Sequence, residues 1–189
     1  MAKILKKDLE LENKLLREKL ESLQNSNTNI NEVELTDISM TKLIKVVSLY
    51  NGILNLKTSN GSDATVFSFN FFGYEQPIFY SDLIKCVINQ RRFFTEGFCM
   101  ILDSQVVKLH YLEKDYNKIL SKEGFINFLN MDEESMMSKY EIIPVQQRIT
   151  LLETIAYKIN DNEFVDRNKV DMLAKISKVD IYELANKLK

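Results

Sequence analysis

The sequence predicts an α+β protein in three parts: a coiled-coil-like helix at the N-terminus, a small antiparallel β-meander packed on a helix, and a C-terminal helical bundle. Three observations predict it. Leucines recur at seven-residue spacing near the start, and runs of strand formers flank two Asn-Gly pairs in the middle. From residue 103 onward, apolar residues follow the helical period behind Asp and Ser caps. With 45% hydrophobic and 28% charged residues among 189, the chain has the composition of a globular protein with room for one ordinary domain or two small ones.

The first part, residues 1–28, contains "ILKKDLELENKLLREKLESLQ". Leu9, Leu16 and Leu23 lie seven apart, with Asn13 and Leu20 at the alternate seam positions, so an apolar stripe runs down one side of a charged helix. An Asn at such a position costs stability and fixes register, favouring two strands, which marks Leu9, Asn13, Leu16, Leu20 and Leu23 as an oligomerisation or docking element. The competing reading is an amphipathic helix lying on its own domain, since Leu11 and Leu15 widen the stripe beyond a strict seam. "NSNTNINEVE" is polar and aperiodic, a linker or extended arm.

The second part, residues 29–112, is β-rich. "LIKVVSLY", "ILNLKT" and "ATVFSFNFF" are separated by Asn51-Gly52 and by Ser59-Asn60-Gly61-Ser62. Asn and Gly tolerate the positive φ of tight primed turns, so the pattern predicts two hairpins and a three-stranded meander. Alternation puts Phe67, Phe69 and Phe71 on one face, expected to be core with Phe93 and Ile101 opposite. "EQPIFY" is a short strand that Pro77 confines to an edge. Ser81 is the expected cap of a helix with Leu83, Ile84, Val87 and Ile88 inward, fraying between Thr95 and Gly97. "FCMILD" reads as a buried strand returning to the sheet.

The third part, residues 113–189, continues a helical stretch that starts at a cap on Asp103 or Ser104. Asp132, Glu133 and Glu134 crowd the positive end of a further helix, Pro144 stops it, and the next carries Val145, Ile149, Leu152, Ile155, Ala156 and Ile159 on one face. A helix capped at Asp166, a turn near Ser177 to Asp180 and a last helix close the chain.

Several function classes find little support. Lys plus Arg number 25 against 27 Asp plus Glu, a net charge of −2, so no global field draws polyanions. Cys86, Cys99 and the single His110 cannot furnish a four-ligand zinc site from soft ligands, and the cysteines read as buried hydrophobes of a reducing compartment. No run is long enough to span a bilayer, and the first ten residues turn charged before a signal core develops, so a cytoplasmic protein is expected. No phosphate loop or nucleophile elbow is present. His110 lies near Glu113 but reads as a flank residue rather than half of an acid-base pair. The expectation is no enzyme, no metal and no cofactor.

Nucleic acid has two candidate footholds. Arg91-Arg92-Phe93-Phe94 alternates cation and aromatic, yet only Lys85 precedes it and Glu96 follows, so Arg91 and Arg92 are read as cations in a helix's last turns. The last two helices have a helix-turn-helix outline, with Lys175 and Lys178 beside the turn, but the would-be reading helix opens with Asp180 and Glu183. A helical hairpin closing a bundle is the favoured reading, and nucleic acid is not the expected partner.

The order of elements, with the "FF" at Phe93 and Phe94, then Gly97-Phe98, Ile101, Asp103 and the helix at Val106 and Val107, resembles a loosely characterised family of bacteriophage proteins. The likeness covers residues 43–112 and 148–182 and departs at Phe98, where tryptophan is the expected residue. It implies a phage setting, in the virion or in the host cytoplasm during assembly. The implied role is structural or virion-associated, with the chain itself or other phage structural proteins as partners. The alternatives are a nucleic-acid-binding regulator using the C-terminal helix pair, and a phage accessory protein that binds a host protein.

Overall fold

The structure, a computed structural model, describes residues 38–188. The leucine stripe of Leu9, Asn13, Leu16, Leu20 and Leu23 lies outside the described residues, as does the polar linker up to Asp37. The described chain is mixed α and β. The strands are β1 (Leu43–Ser48), β2 (Leu54–Lys57), β3 (Val66–Phe69), β4 (Glu75–Phe79) and β5 (Cys99–Ile101). The helices are α1 (Tyr80–Asn89), α2 (Arg91–Thr95), α3 (Ser104–Leu109), α4 (Glu113–Tyr116), α5 (Lys122–Ile126), α6 (Glu133–Ile142), α7 (Val145–Asn160), α8 (Arg167–Ser177) and α9 (Ile181–Lys187). Ile38 onward forms one compact unit.

The meander is not formed. β1 pairs antiparallel with β4 on one side and β5 on the other, whereas β2 and β3 make a separate two-stranded hairpin. The reason lies at Asn51-Gly52. Positive φ among the described glycines is confined to Gly73 and Gly97, so neither Asn-Gly pair forms a tight primed turn. The Asn51 amide turns instead to α7, where its Nδ2 donates to the Thr150 carbonyl at 3.1 Å and the Thr154 hydroxyl at 3.2 Å. The second expected hairpin forms, with Leu54 opposite Phe69 and Lys57 opposite Val66 around a loop spanning 58–65.

The second half of β1 is buried on both faces because two cores meet there. Ile44 and Val46 face a first core with Leu54, Leu56, Phe69, Ile78 and Leu83. Val47 and Leu49 face a second, built from Phe128, Met136, Leu151, Ile155, Val170 and Leu173 of the helical region. Chain order does not separate the two cores, because the first runs from Ile38 to Leu112 while the second takes Val47 and Leu49 together with residues from Leu120 onward. Only one end of the second sheet face is covered. The pair Leu43 and Phe79 remains exposed beside Lys45 and Pro77.

The sheet edges are closed in different ways. Pro77 sits on edge strand β4, as its missing N–H requires. On β5 the Ile101 N–H donates to the Tyr116 hydroxyl at 2.8 Å, which ends the sheet there. The outer edge of β2 is met by side chains. Asn89 donates to the Lys57 carbonyl at 3.1 Å, Gln90 donates to the Asn55 carbonyl at 3.4 Å, and the Gln90 Oε1 accepts the Lys57 N–H. That attachment coincides with the break between α1 and α2 at Gln90, where φ is −131°.

Other expectations need correction. Phe69 is fully buried, but Phe67 is half-buried and Phe71 is 57% exposed, because β3 ends at Phe69 and strand alternation does not extend past it. Phe94, not Phe93, enters the core, and Phe93 stacks at the margin on Phe98 at 5.1 Å. α1 starts one residue before Ser81 without a side-chain cap; the carbonyls of Lys42 and Met40 take the Tyr80 and Ser81 N–H groups instead. Ile88 faces solvent. Arg91 and Arg92 open α2 rather than closing a long helix. The caps expected at Asp103 and Asp166 form, and Asp132, expected only as helix-end charge, caps α6 as well, each carboxylate accepting backbone N–H groups of its helix's first turn.

Candidate functional site

α7 is the element on which the rest of the helical region is arranged. Its buried side is not the expected stripe. Gln147, Thr150 and Leu151 join Leu152, Ile155 and Ala156 inside, while Val145 is 68% and Ile149 45% exposed. The apolar residues of "VQQRITLLETIAYKIN" circle more of the helix than one core can cover, and that excess width is the signal in the sequence that a second face exists.

The face so exposed borders a groove of about 280 Å³. Tyr140 and Glu141 come from the end of α6, Val145, Arg148 and Ile149 from the start of α7, and Ile176 and Val179 from the end of α8 and its turn. α6 ends just before the groove with carbonyls lacking helical partners. Arg148 supplies them: Nε donates to the Ile143 carbonyl at 3.1 Å and Nη2 to the Glu141 carbonyl at 2.6 Å. Its guanidinium then lies 5.4 Å from the Tyr140 ring centroid, a cation–π contact that fixes the groove wall. Burial pushes the Tyr140 phenol up, and neighbouring Arg148 and a hydrogen bond to Ser177 only partly counter it. An apolar wall carrying one planar cation can take an apolar side chain, with a polar group beside it.

The four basic residues considered for nucleic acid occupy two separate elements. Arg91 donates from Nη2 to the carbonyls of His110 at 3.1 Å and Tyr111 at 3.4 Å, capping the end of α3. Arg92 is ion-paired with Glu96 one turn on. Lys175 is in the last turn of α8, and Lys178 ends that helix in the left-handed conformation, φ 59°. Among the described residues no hydrogen bond or ion pair links the Arg91-Arg92 pair to the Lys175-Lys178 pair. A tight turn runs from Lys178 to the Asp180 cap, and α9 packs along α7.

His110 does not pair with Glu113. Its ring meets Tyr80, Nε2 to hydroxyl at 3.5 Å, with the rings edge to face at 6.0 Å. Burial lowers its pKa, and the Arg91 charge lowers it further. Cys86 and Cys99 are free and buried. Burial, with Asp82 adding to it against Lys85, pushes the Cys86 thiol to about 11, and burial drives Cys99 higher than its ordinary range as well, so both stay protonated and unreactive at neutral pH. Among the described residues no three His, Cys, Asp or Glu side chains converge on a common point as metal ligands do, and no helix is long and apolar enough to cross a membrane.

Sequence reasoning missed the Tyr140–Arg148 wall and the exposure of Val145 and Ile149, both of which depend on how α6, α7 and α8 meet. Comparison with protein-family models, with curated proteins and with solved structures finds no match for this chain.

Proposed function

We propose that the chain is a non-enzymatic structural or assembly protein of a phage particle. It acts through contacts with itself or with other structural proteins of the particle, in the virion or in the host cytoplasm during assembly. The observation that carries a contact role is the apolar surface left in solvent on the folded unit, with Val145, Ile149 and Val179 around the Tyr140–Arg148 wall. Exposed apolar groups gathered at a concave, walled surface are a mark of protein contact sites. The heptad of Leu9, Leu16, Leu20 and Leu23 around Asn13 supports self-association as the first of these contacts, and the resemblance over residues 43–112 and 148–182 supports the phage setting.

Sedimentation equilibrium tests the reading. The intact chain is expected to self-associate. Leu16→Glu with Leu20→Glu places charge on the seam and is expected to make it monomeric with the same thermal transition. Asn13→Leu is expected to strengthen association while broadening the range of oligomers. An intact chain that stays monomeric at high concentration and binds duplex DNA with steep salt dependence would instead place it among nucleic-acid-binding regulators.

A further inference from the structure

The pair Asn-Gly occurs at Asn51-Gly52 and at Asn60-Gly61. In a free chain this pair is the context most open to loss of the asparagine amide, because glycine has no Cβ to hold its nitrogen away from the preceding side chain. The fold treats the two copies differently. Asn51 is half-buried, and its Nδ2 is held on α7 by the Thr150 carbonyl at 3.1 Å, the Thr154 hydroxyl at 3.2 Å and the Glu153 carboxylate at 3.4 Å. Its Cγ cannot swing onto the Gly52 nitrogen while those bonds stand.

Asn60 lies exposed in the loop between β2 and β3, and its side chain hydrogen-bonds to no other described residue. Gly61 is exposed as well. Its N–H donates to the Ser59 Oγ at 3.2 Å, so an acceptor already stands at the proton that must leave, and the loop packs closely enough that the Asp63 carboxylate lies 2.6 Å from where a Gly61 Cβ would sit.

We propose that Asn60 is a site of spontaneous covalent modification, passing through a cyclic imide to aspartyl and isoaspartyl forms, while the same dipeptide at Asn51 is held inert by α7. The Gly61 nitrogen attacks Asn60 Cγ. The N–Cγ bond forms, the Cγ–Nδ2 bond breaks, and the proton given up by the Gly61 nitrogen is balanced by one taken up on the departing amide, which leaves as ammonia. Water then opens the imide at either carbonyl. One opening restores the ordinary backbone with a carboxylate side chain, and the other routes the backbone through the former side chain. Each event adds a negative charge near Asp63 to a chain whose net charge is −2.

Peptide mapping by mass spectrometry tests this on the intact protein held in mildly alkaline buffer, folded or in concentrated urea, with isoaspartate read by enzymatic carboxyl methylation. In the folded protein Asn60 is expected to convert about tenfold or more faster than Asn51, since Asn51 must first give up its hydrogen bonds to α7. In urea the two rates should converge, and Gly61→Ala should slow Asn60 alone. The proposal fails if Asn51 keeps pace with Asn60 in the folded protein. It fails equally if the difference persists in urea, which would assign it to local sequence rather than to the fold.

Discussion

Gln147 joins the two cores, and replacing it is the sharpest test of how they are held. The side chain is fully buried. Its Oε1 accepts the Leu120 N–H at 2.6 Å, and its Nε2 donates to the Leu120 carbonyl at 3.0 Å and to the Gly97 carbonyl at 3.3 Å. The amide thus stands in for a strand partner of Leu120, a residue outside any helix or strand. Gln147→Leu leaves a side chain of similar size and strands both Leu120 groups away from water, along with the more weakly bonded Gly97 carbonyl. At about 1–3 kcal/mol per orphaned group, less what the added apolar burial returns, the loss should be about 2–4 kcal/mol. That is a large share of the roughly 5–15 kcal/mol that holds a domain together. In urea titration, with a slope of about 2 kcal/mol/M, the midpoint should fall by about 1–2 M without a change in slope. Gln147→Glu adds a pH signature. Its carboxylate would still accept the Leu120 N–H but would face two carbonyl oxygens in a dry site, so its folded pKa rises above the unfolded value of about 4.3. That variant should therefore be most stable in acid and weaken as pH climbs through the unfolded value toward the raised folded one. A Gln147→Leu protein within about 0.5 kcal/mol of the parent would refute the reasoning, because buried orphaned groups cannot cost so little.

Two further outcomes come from the packing and the charges. Phe69→Ala should cost about 3–5 kcal/mol, whereas Phe71→Ala should cost under about 1 kcal/mol, since only the first ring is buried; chemical denaturation of the two variants side by side checks the contrast. His110 titrates lower in the fold than its ordinary value of 6.5, so the fold favours the neutral ring. The stability this lends is present above that value and is lost as pH falls through it toward the folded pKa. His110→Phe should flatten that part of a melting-temperature profile taken across the range.

Much of the local structure is legible in the residues because the forces that set it act within a turn or two. A carboxylate at Asp103 or Asp166 reaches the next free N–H groups whatever lies beyond, Pro77 has no N–H to give a central strand, and the apolar run at Cys99–Ile101 must be buried somewhere. Strand partnership is a different matter. Asn51-Gly52 is as good a hairpin signal as Asn60-Gly61, and only the presence of α7 beside it, about a hundred residues along the chain, turns the first into a side-chain anchor and leaves the second a loop. The candidate groove was hidden for the same reason: Val145 and Ile149 obey the helical period as well as Leu152 and Ile155 do, and periodicity cannot say which of two apolar faces finds a cover. By itself, then, the sequence determined the mixed α and β character of the described residues, most element positions and several caps, all products of short-range sterics and hydrogen bonding. The tertiary structure decided that β1 would lie between two cores, that Gln147 would bridge them, and that one side of α7 would stay open. Those outcomes depend on which distant surfaces exclude water together, a property of the whole packed chain that no single segment carries.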